Sequence, residues 1–189
     1  TLTLDVGNAI NVQVRRIGCQ TGCNMAESST LASWTVVAQP TAPATVTKTP
    51  NVTSVCVGTM VSVSSPSGGN PGIGCGFEYR FQRGGITVQD WSSTNSYATI
   101  GADVGNAINL QIRRVGCQTG CNTAESGALA TWTVVAQPSA PLTVSKTPNV
   151  VSVCVGTIVS VNSPAGGNPG IGCLFEYRFQ RGGFTVQNW

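Results

Sequence analysis

The chain has 189 residues, with 10 Lys and Arg against 7 Asp and Glu, a formal net charge of +3 and only 9% charged residues. Charge this sparse excludes a nucleic-acid footprint, which needs Lys and Arg clustered on one face. Hydrophobic residues make up 41%, yet no apolar run reaches the length of a membrane span.

An internal repeat sets the organisation. Residues 5–91 align with residues 103–189 without a gap; 17 positions differ, and every landmark shifts by 98 residues. Trp34 becomes Trp132, Cys56 becomes Cys154 and Trp91 becomes Trp189. A 98-residue unit is the size of a two-sheet domain and far longer than a solenoid repeat. The natural linkers are "AQPTAP" (38–43) and "AQPSAP" (136–141), since paired prolines stop a strand and stiffen a joint. Residues 1–39 are thus expected to be the C-terminal half of one unit, residues 40–137 a complete unit and residues 138–189 the N-terminal half of a following unit. The sequence starts in mid-pattern at Thr1 and stops at Trp189, and is expected to be a piece of something longer.

Short β-branched runs between Gly, Pro and Asn clusters predict an all-β chain. In the complete unit, "TVTKT" (45–49) and "MVSVSS" (60–65) read as strands. "PSGGNPGIG" (66–74) is a loop dense in turn residues. "FEYRFQ" (77–82) alternates Phe77, Tyr79 and Phe81 with Glu78, Arg80 and Gln82, the mark of a half-buried strand. "RGG" (83–85) turns into a strand at 86–91, and "SYATI" (96–100) is another. "AINLQIRR" (107–114) points Ile108, Leu110 and Ile112 inward, and "ATWTVVA" (130–136) does the same with Trp132 and Val134. About seven short strands in this length predict a two-sheet Ig-like β-sandwich repeated in tandem. In that topology the strands at 77–82 and 107–114 pair, so Glu78 and Arg113 should meet on the solvent face. The doublets Arg15-Arg16 and Arg113-Arg114 read as solvated strand ends.

Each unit holds four cysteines: Cys56, Cys75, Cys117 and Cys121 in the complete one, with Cys19, Cys23, Cys154 and Cys173 as their copies. "GCQTGCN" occurs at 18–24 and 116–122. Structural zinc sites favour C-x2-C knuckles, often with His. Here the spacing is C-x3-C, the other two cysteines are singletons and His is absent, so no metal site is expected. A redox pair would want C-x2-C at a helix start. Structural disulfides fit best, and with them an oxidising, extracellular setting. Four cysteines allow three pairings. A bond from Cys75 to Cys117 or Cys121 would tie two long loops at one end of the unit. Cys56 either doubles back to reach the same loop or faces a neighbouring domain.

No enzyme is expected, and no catalytic or cofactor-binding residue. The complete unit has Glu78, Asp90, Asp103 and Glu125 as its acids. Glu78 lies beside Arg80 on a solvent face, Asp103 suits a capping role in "GADVGN", and Glu125 falls in a predicted loop. Asp90 is replaced by Asn188 in the next copy. "GGNPGIG" is glycine-rich but leads into a strand, not the helix a phosphate loop needs. Trp91, beside Gln89, Asp90 and Ser92, could offer a stacking surface to a sugar; the plainer expectation is a ring packed against the sheet edge.

"SVCVGT", "YRFQRGG", "VQVRRIGCQTGC" and "WTVVAQP" together resemble the Ig-like tandem repeats of giant secreted surface proteins of Bacteroidota, including adhesins of the gliding-motility type. The resemblance spans essentially the whole chain. It implies a long extracellular, cell-surface filament or adhesin, exported by the type IX pathway, whose partners are neighbouring repeats of the same protein joined head to tail, and surface glycans. The expectation is a structural and adhesive repeat, with adhesion through the 66–74 and 116–122 loops or Trp91. The alternative is a glycan-binding module of a secreted multidomain enzyme.

Overall fold

The structure is a computed structural model that describes residues 2–23 and 26–188. Thr1, Asn24, Met25 and Trp189 lie outside the described residues. The chain is all-β, with 43% strand and 3% helix.

Fifteen strands follow one another among the described residues. The first segment holds β1 (Ala9–Val12) and β2 (Ala32–Thr35). The central segment holds β3 (Thr45–Thr49), β4 (Ser54–Cys56), β5 (Met60–Ser67), β6 (Gly76–Arg83), β7 (Ile86–Ser92), β8 (Ser96–Ala98), β9 (Ala107–Val115), β10 (Ala124–Glu125) and β11 (Ala130–Val135). The last segment holds β12 (Thr143–Thr147), β13 (Ser160–Ala165), β14 (Phe179–Arg181) and β15 (Phe184–Gln187).

The central segment forms two sheets. One has the order β3-β5-β8; the other has the order β4-β11-β9-β6-β7, with β10 pairing on β9. Alternation explains the layering. In β9 every second residue, from Ile108 through Leu110 and Ile112 to Arg114, is buried, because a strand sends successive side chains to opposite faces. Phe81, Ile108, Leu110, Ile112, Trp132 and Val134 from the larger sheet meet Val61 and Val63 from the smaller in one core. Phe77, Tyr79 and Tyr97 pack against it half-buried, and Phe81 stacks on Tyr97 with ring centroids 5.7 Å apart. Burying each large side chain contributes roughly 1.5–3 kcal/mol.

Two strands go beyond the sequence reading, β4 where the sequence assigns none and β10 where it places Glu125 in a loop. β4 runs parallel to β11, with Val55 opposite Val134 and Cys56 opposite Val135. β10 sets Glu125 opposite Arg113, so Glu125 belongs to a sheet. The predicted strand at 96–100 is shorter, because Ile100 caps the 3-10 turn Gly101–Asp103.

The outer segments repeat the pairings of the centre. Ile10 lies opposite Trp34 in β1 and β2, as Ile108 lies opposite Trp132 in β9 and β11. β12 and β13 share the register and the bulge of β3 and β5, and Arg181 opposite Phe184 matches Arg83 opposite Ile86.

Candidate functional site

The outer face of the larger sheet carries a cluster of six polar and aromatic side chains. Antiparallel pairing of β6 and β9 sets Glu78 opposite Arg113 and Arg80 opposite Gln111. Arg113 donates to Glu78 Oε2 from Nε at 2.9 Å and from a terminal nitrogen at 2.7 Å. Arg80 donates twice to Gln111 Oε1, at 2.9 and 2.7 Å. Glu125 approaches both cations, 3.9 Å from Arg80 and 3.7 Å from Arg113. The guanidinium carbons of Arg80 and Arg113 stand over the Trp91 ring, 4.4 and 4.7 Å from its centre. Trp91 is half-buried. The cross-strand pair Glu78–Arg113 is the one expected from the alternation. The six residues recur in the repeat as Glu176, Arg178, Trp189, Gln13, Arg15 and Glu27, and Arg15 meets Glu27 at 3.7 Å, as Arg113 meets Glu125.

The second site is the linker at residues 38–43, which begins the central segment. Pro40 and Pro43 are buried. Asn70 donates its amide to the carbonyls of Ala38 (3.2 Å) and Gln39 (2.8 Å), and Thr41 N donates to Asn70 O at 3.0 Å. Arg114 is buried, stacks on Phe77 at 4.9 Å, and donates to the carbonyls of Thr41 (2.8 Å) and Gly68 (3.0 Å). This corrects the reading of Arg114 as a solvated strand end: its stem lies on an aromatic ring while its head satisfies carbonyls that no strand pairs. Gly69 sits at φ +68°, and a β-carbon there would collide with Ala42 O. The glycine-rich loop therefore exists to let two backbones touch. Gln39 closes the joint. Its amide donates to Gly120 O at 3.0 Å, and its oxygen accepts from Asn122 N at 2.8 Å.

The linker at 136–141 repeats the asparagine clasp and the glycine contact, while Pro138 and Pro141 are exposed and Gln137 donates instead to Val57 O. Asn168 donates to Ala136 O (3.2 Å) and Gln137 O (2.7 Å), and Ser139 N donates to Asn168 O at 2.9 Å. Gly167, at φ +71°, closes on Ala140 O as Gly69 closes on Ala42 O. Residues of both loops, 66–74 and 116–122, thus hold the linker at 38–43.

A disulfide joins Cys75 to Cys117, with an S–S distance of 2.05 Å. It is one of the pairings the sequence left open, and it anchors the 116–122 loop beside β6. Cys19, Cys23, Cys56, Cys121, Cys154 and Cys173 are thiols. No group of three or more Cys, Asp or Glu could hold a metal ion among the described residues. Nor is any described helix long and apolar enough to cross a membrane.

Asp103 is a buried structural acid. It accepts from Ile100 N (2.7 Å), Tyr97 OH (3.0 Å) and Arg83 (3.2 Å), in keeping with the capping role read from "GADVGN". Burial, then the bond to Asp103, holds the Tyr97 phenol above its ordinary value. Asp90 accepts from its neighbour's amide, Trp91 N, at 2.8 Å.

Sequence could not have identified Gln39, Asn70 and Arg114 as partners, because each acts across a long separation. One signal was present: the glycines and Asn of "GGNPG" recur beside each "AQP" linker.

Comparison with known proteins finds no matching family model, no matching curated relative and no matching solved structure.

Proposed function

We propose that this chain is part of a structural and adhesive tandem array of Ig-like β-sandwiches on an extracellular filament. The observation that carries the reading is the joint. The same clasp, Asn70 on Ala38 and Gln39, recurs as Asn168 on Ala136 and Gln137. A linker that only tethered two domains would not need the bonds that cross residue 40, from Asn70 to Ala38 and Gln39 and from Gln39 to Gly120 and Asn122. Such a joint fixes the orientation of each unit relative to the last, and a fixed, non-closing relation between identical units generates a filament. The disulfide supports an oxidising, extracellular location.

Adhesion falls to the outer face of the larger sheet, since the loops are engaged in the joint. Its cluster of Glu78, Arg80, Trp91, Gln111, Arg113 and Glu125 would be displayed once per unit, which suits weak, multivalent contact. Glycan binding by a module of a secreted enzyme is the second reading. Trp91 favours it, although a sugar would compete with two guanidiniums for that ring.

The test is a set of chains with increasing numbers of complete units, imaged by electron microscopy. A stiff array predicts rods that lengthen by a constant increment per unit. Flexible or collapsed particles would refute it. A glycan array probed with one complete unit separates the two readings: strong binding to a defined sugar favours the second.

A further inference from the structure

Cys56 and Cys121 are half-buried thiols that the Cys75–Cys117 bond leaves over. They lie at opposite ends of the unit. Cys56 sits opposite Val135, where β11 leaves the sheet; Cys121 follows the far end of β9, beside the joint with the preceding segment. They are placed poorly for one another, and one faces forward along the chain while the other faces back.

Two observations bring their neighbourhoods together across a joint. The first is a shared cavity of about 310 Å³, lined by Val37 and Cys121 along with Gln118 and Gly120. Val37 is the copy of Val135, and Val135 is the residue that faces Cys56 in the complete unit. A cysteine placed against Val37 as Cys56 is placed against Val135 would therefore border the cavity that holds Cys121. The second is the glutamine. Gln39 donates to Gly120 O, next to Cys121, while its copy Gln137 donates to Val57 O, next to Cys56. The two copies of this glutamine thus reach, one each, the residue beside Cys121 and the residue beside Cys56, which puts both thiols next to the same linker position of the repeat.

We propose that the Cys56 thiol of each unit forms a disulfide with the Cys121 thiol of the unit that follows. This rests on the tandem-array reading and deepens it: every joint is then crossed by a covalent bond besides the backbone. Formation needs an oxidant of the protein-disulfide class. One cysteine thiolate attacks the oxidant's disulfide and displaces one of its thiols. The second thiolate then attacks the mixed disulfide and displaces the other. Two protons and two electrons pass to the oxidant. Under tension, the covalent path would bypass most of each unit, so a joint could not open by unfolding.

A circular permutant tests this with every residue of the chain present. It runs residues 40–189, then a second copy of residues 92–98, then residues 1–39, and so completes two consecutive units. After refolding with glutathione disulfide, non-reducing peptide mapping reads the bonds. The Cys75–Cys117 bond reports that the first unit folds, and a Cys19–Cys173 bond reports the array reading. The proposal predicts, in addition, a Cys23–Cys56 bond, with Cys121 and Cys154 left as thiols. If Cys19–Cys173 forms while Cys56 stays a thiol, or pairs with Cys121 of its own unit, the proposal fails and the array reading stands. If Cys19–Cys173 does not form, the array reading fails first. A second variant needs no permutation: Val37→Cys in the natural order should bond to Cys121 under the same oxidation, and a free Cys121 there would overturn the shared cavity.

Discussion

Trp132 and Trp34 occupy the same place in the repeat and the same cross-strand pair, yet Trp132 is fully buried and Trp34 is 59% exposed. Ile108 and Ile10 differ in the same way, at 0% and 37% exposure. Strand pairing is thus a local property, carried by alternation and repeated wherever the sequence repeats. Burial is a property of assembly, because it needs the second sheet. The central segment has β3, β5 and β8 to cover β9 and β11. The first segment has β1 and β2 alone.

Breaking the comparison at its strongest point gives the largest effect. Trp132→Ala should cost about 3–5 kcal/mol, since it empties the centre of a packed core. Trp34→Ala should cost under about 1 kcal/mol, as exposed positions do. Denaturant unfolding of each full-length variant measures both, and equal losses would dissolve the distinction.

Removing the staple comes next. Cys75→Ser opens a loop of 42 residues and should cost on the order of 4 kcal/mol in the chain-entropy account. Cys173→Ser, its copy with a free thiol, should leave the unfolding midpoint unchanged.

Asp103→Ala should cost about 2 kcal/mol or more, because it strands Arg83, Tyr97 OH and the Ile100 amide in a buried site. Asp5→Ala, which removes a bond to the exposed Leu2 amide, should fall within about 0.5 kcal/mol of the parent.

The smallest effect concerns pH. Burial raises the Tyr79 phenol, and burial with the Asp103 bond raises that of Tyr97. The unfolded chain then loses these protons first. Stability from this source is complete below about pH 10 and falls as pH rises through the folded values. Tyr97→Phe should flatten that alkaline slope in denaturant titrations.

How much of this was legible in the sequence depends on range. The strand Thr45–Thr49 and the inward set Ile108, Leu110, Ile112 and Trp132 were readable, because alternation is a nearest-neighbour signal. So was the Glu78–Arg113 pair, once two alternating strands were set side by side. β4 was missed because three residues carry too little alternation; its strand state comes from pairing with β11. Arg114 was misread because its partners, Thr41 and Gly68, lie far away in sequence. The glycine-rich loop announced a turn, and only the packed linker shows why its glycines are required. The cluster around Trp91 was half legible: Trp91 stood out as a candidate contact, but nothing local placed Arg80, Arg113 and Glu125 around it.

The central claim is that the open face at Trp34 is the core face of a unit whose covering sheet lies in another part of the array. Hydroxyl-radical footprinting of the circular permutant tests it directly, because it reads each side chain separately. There the 138–189 segment and the 1–39 segment belong to one unit. The account predicts that Trp34 becomes as protected as Trp132. Oxidation of Trp34 at the rate seen in the natural order, in a permutant that still protects Trp132, would contradict it.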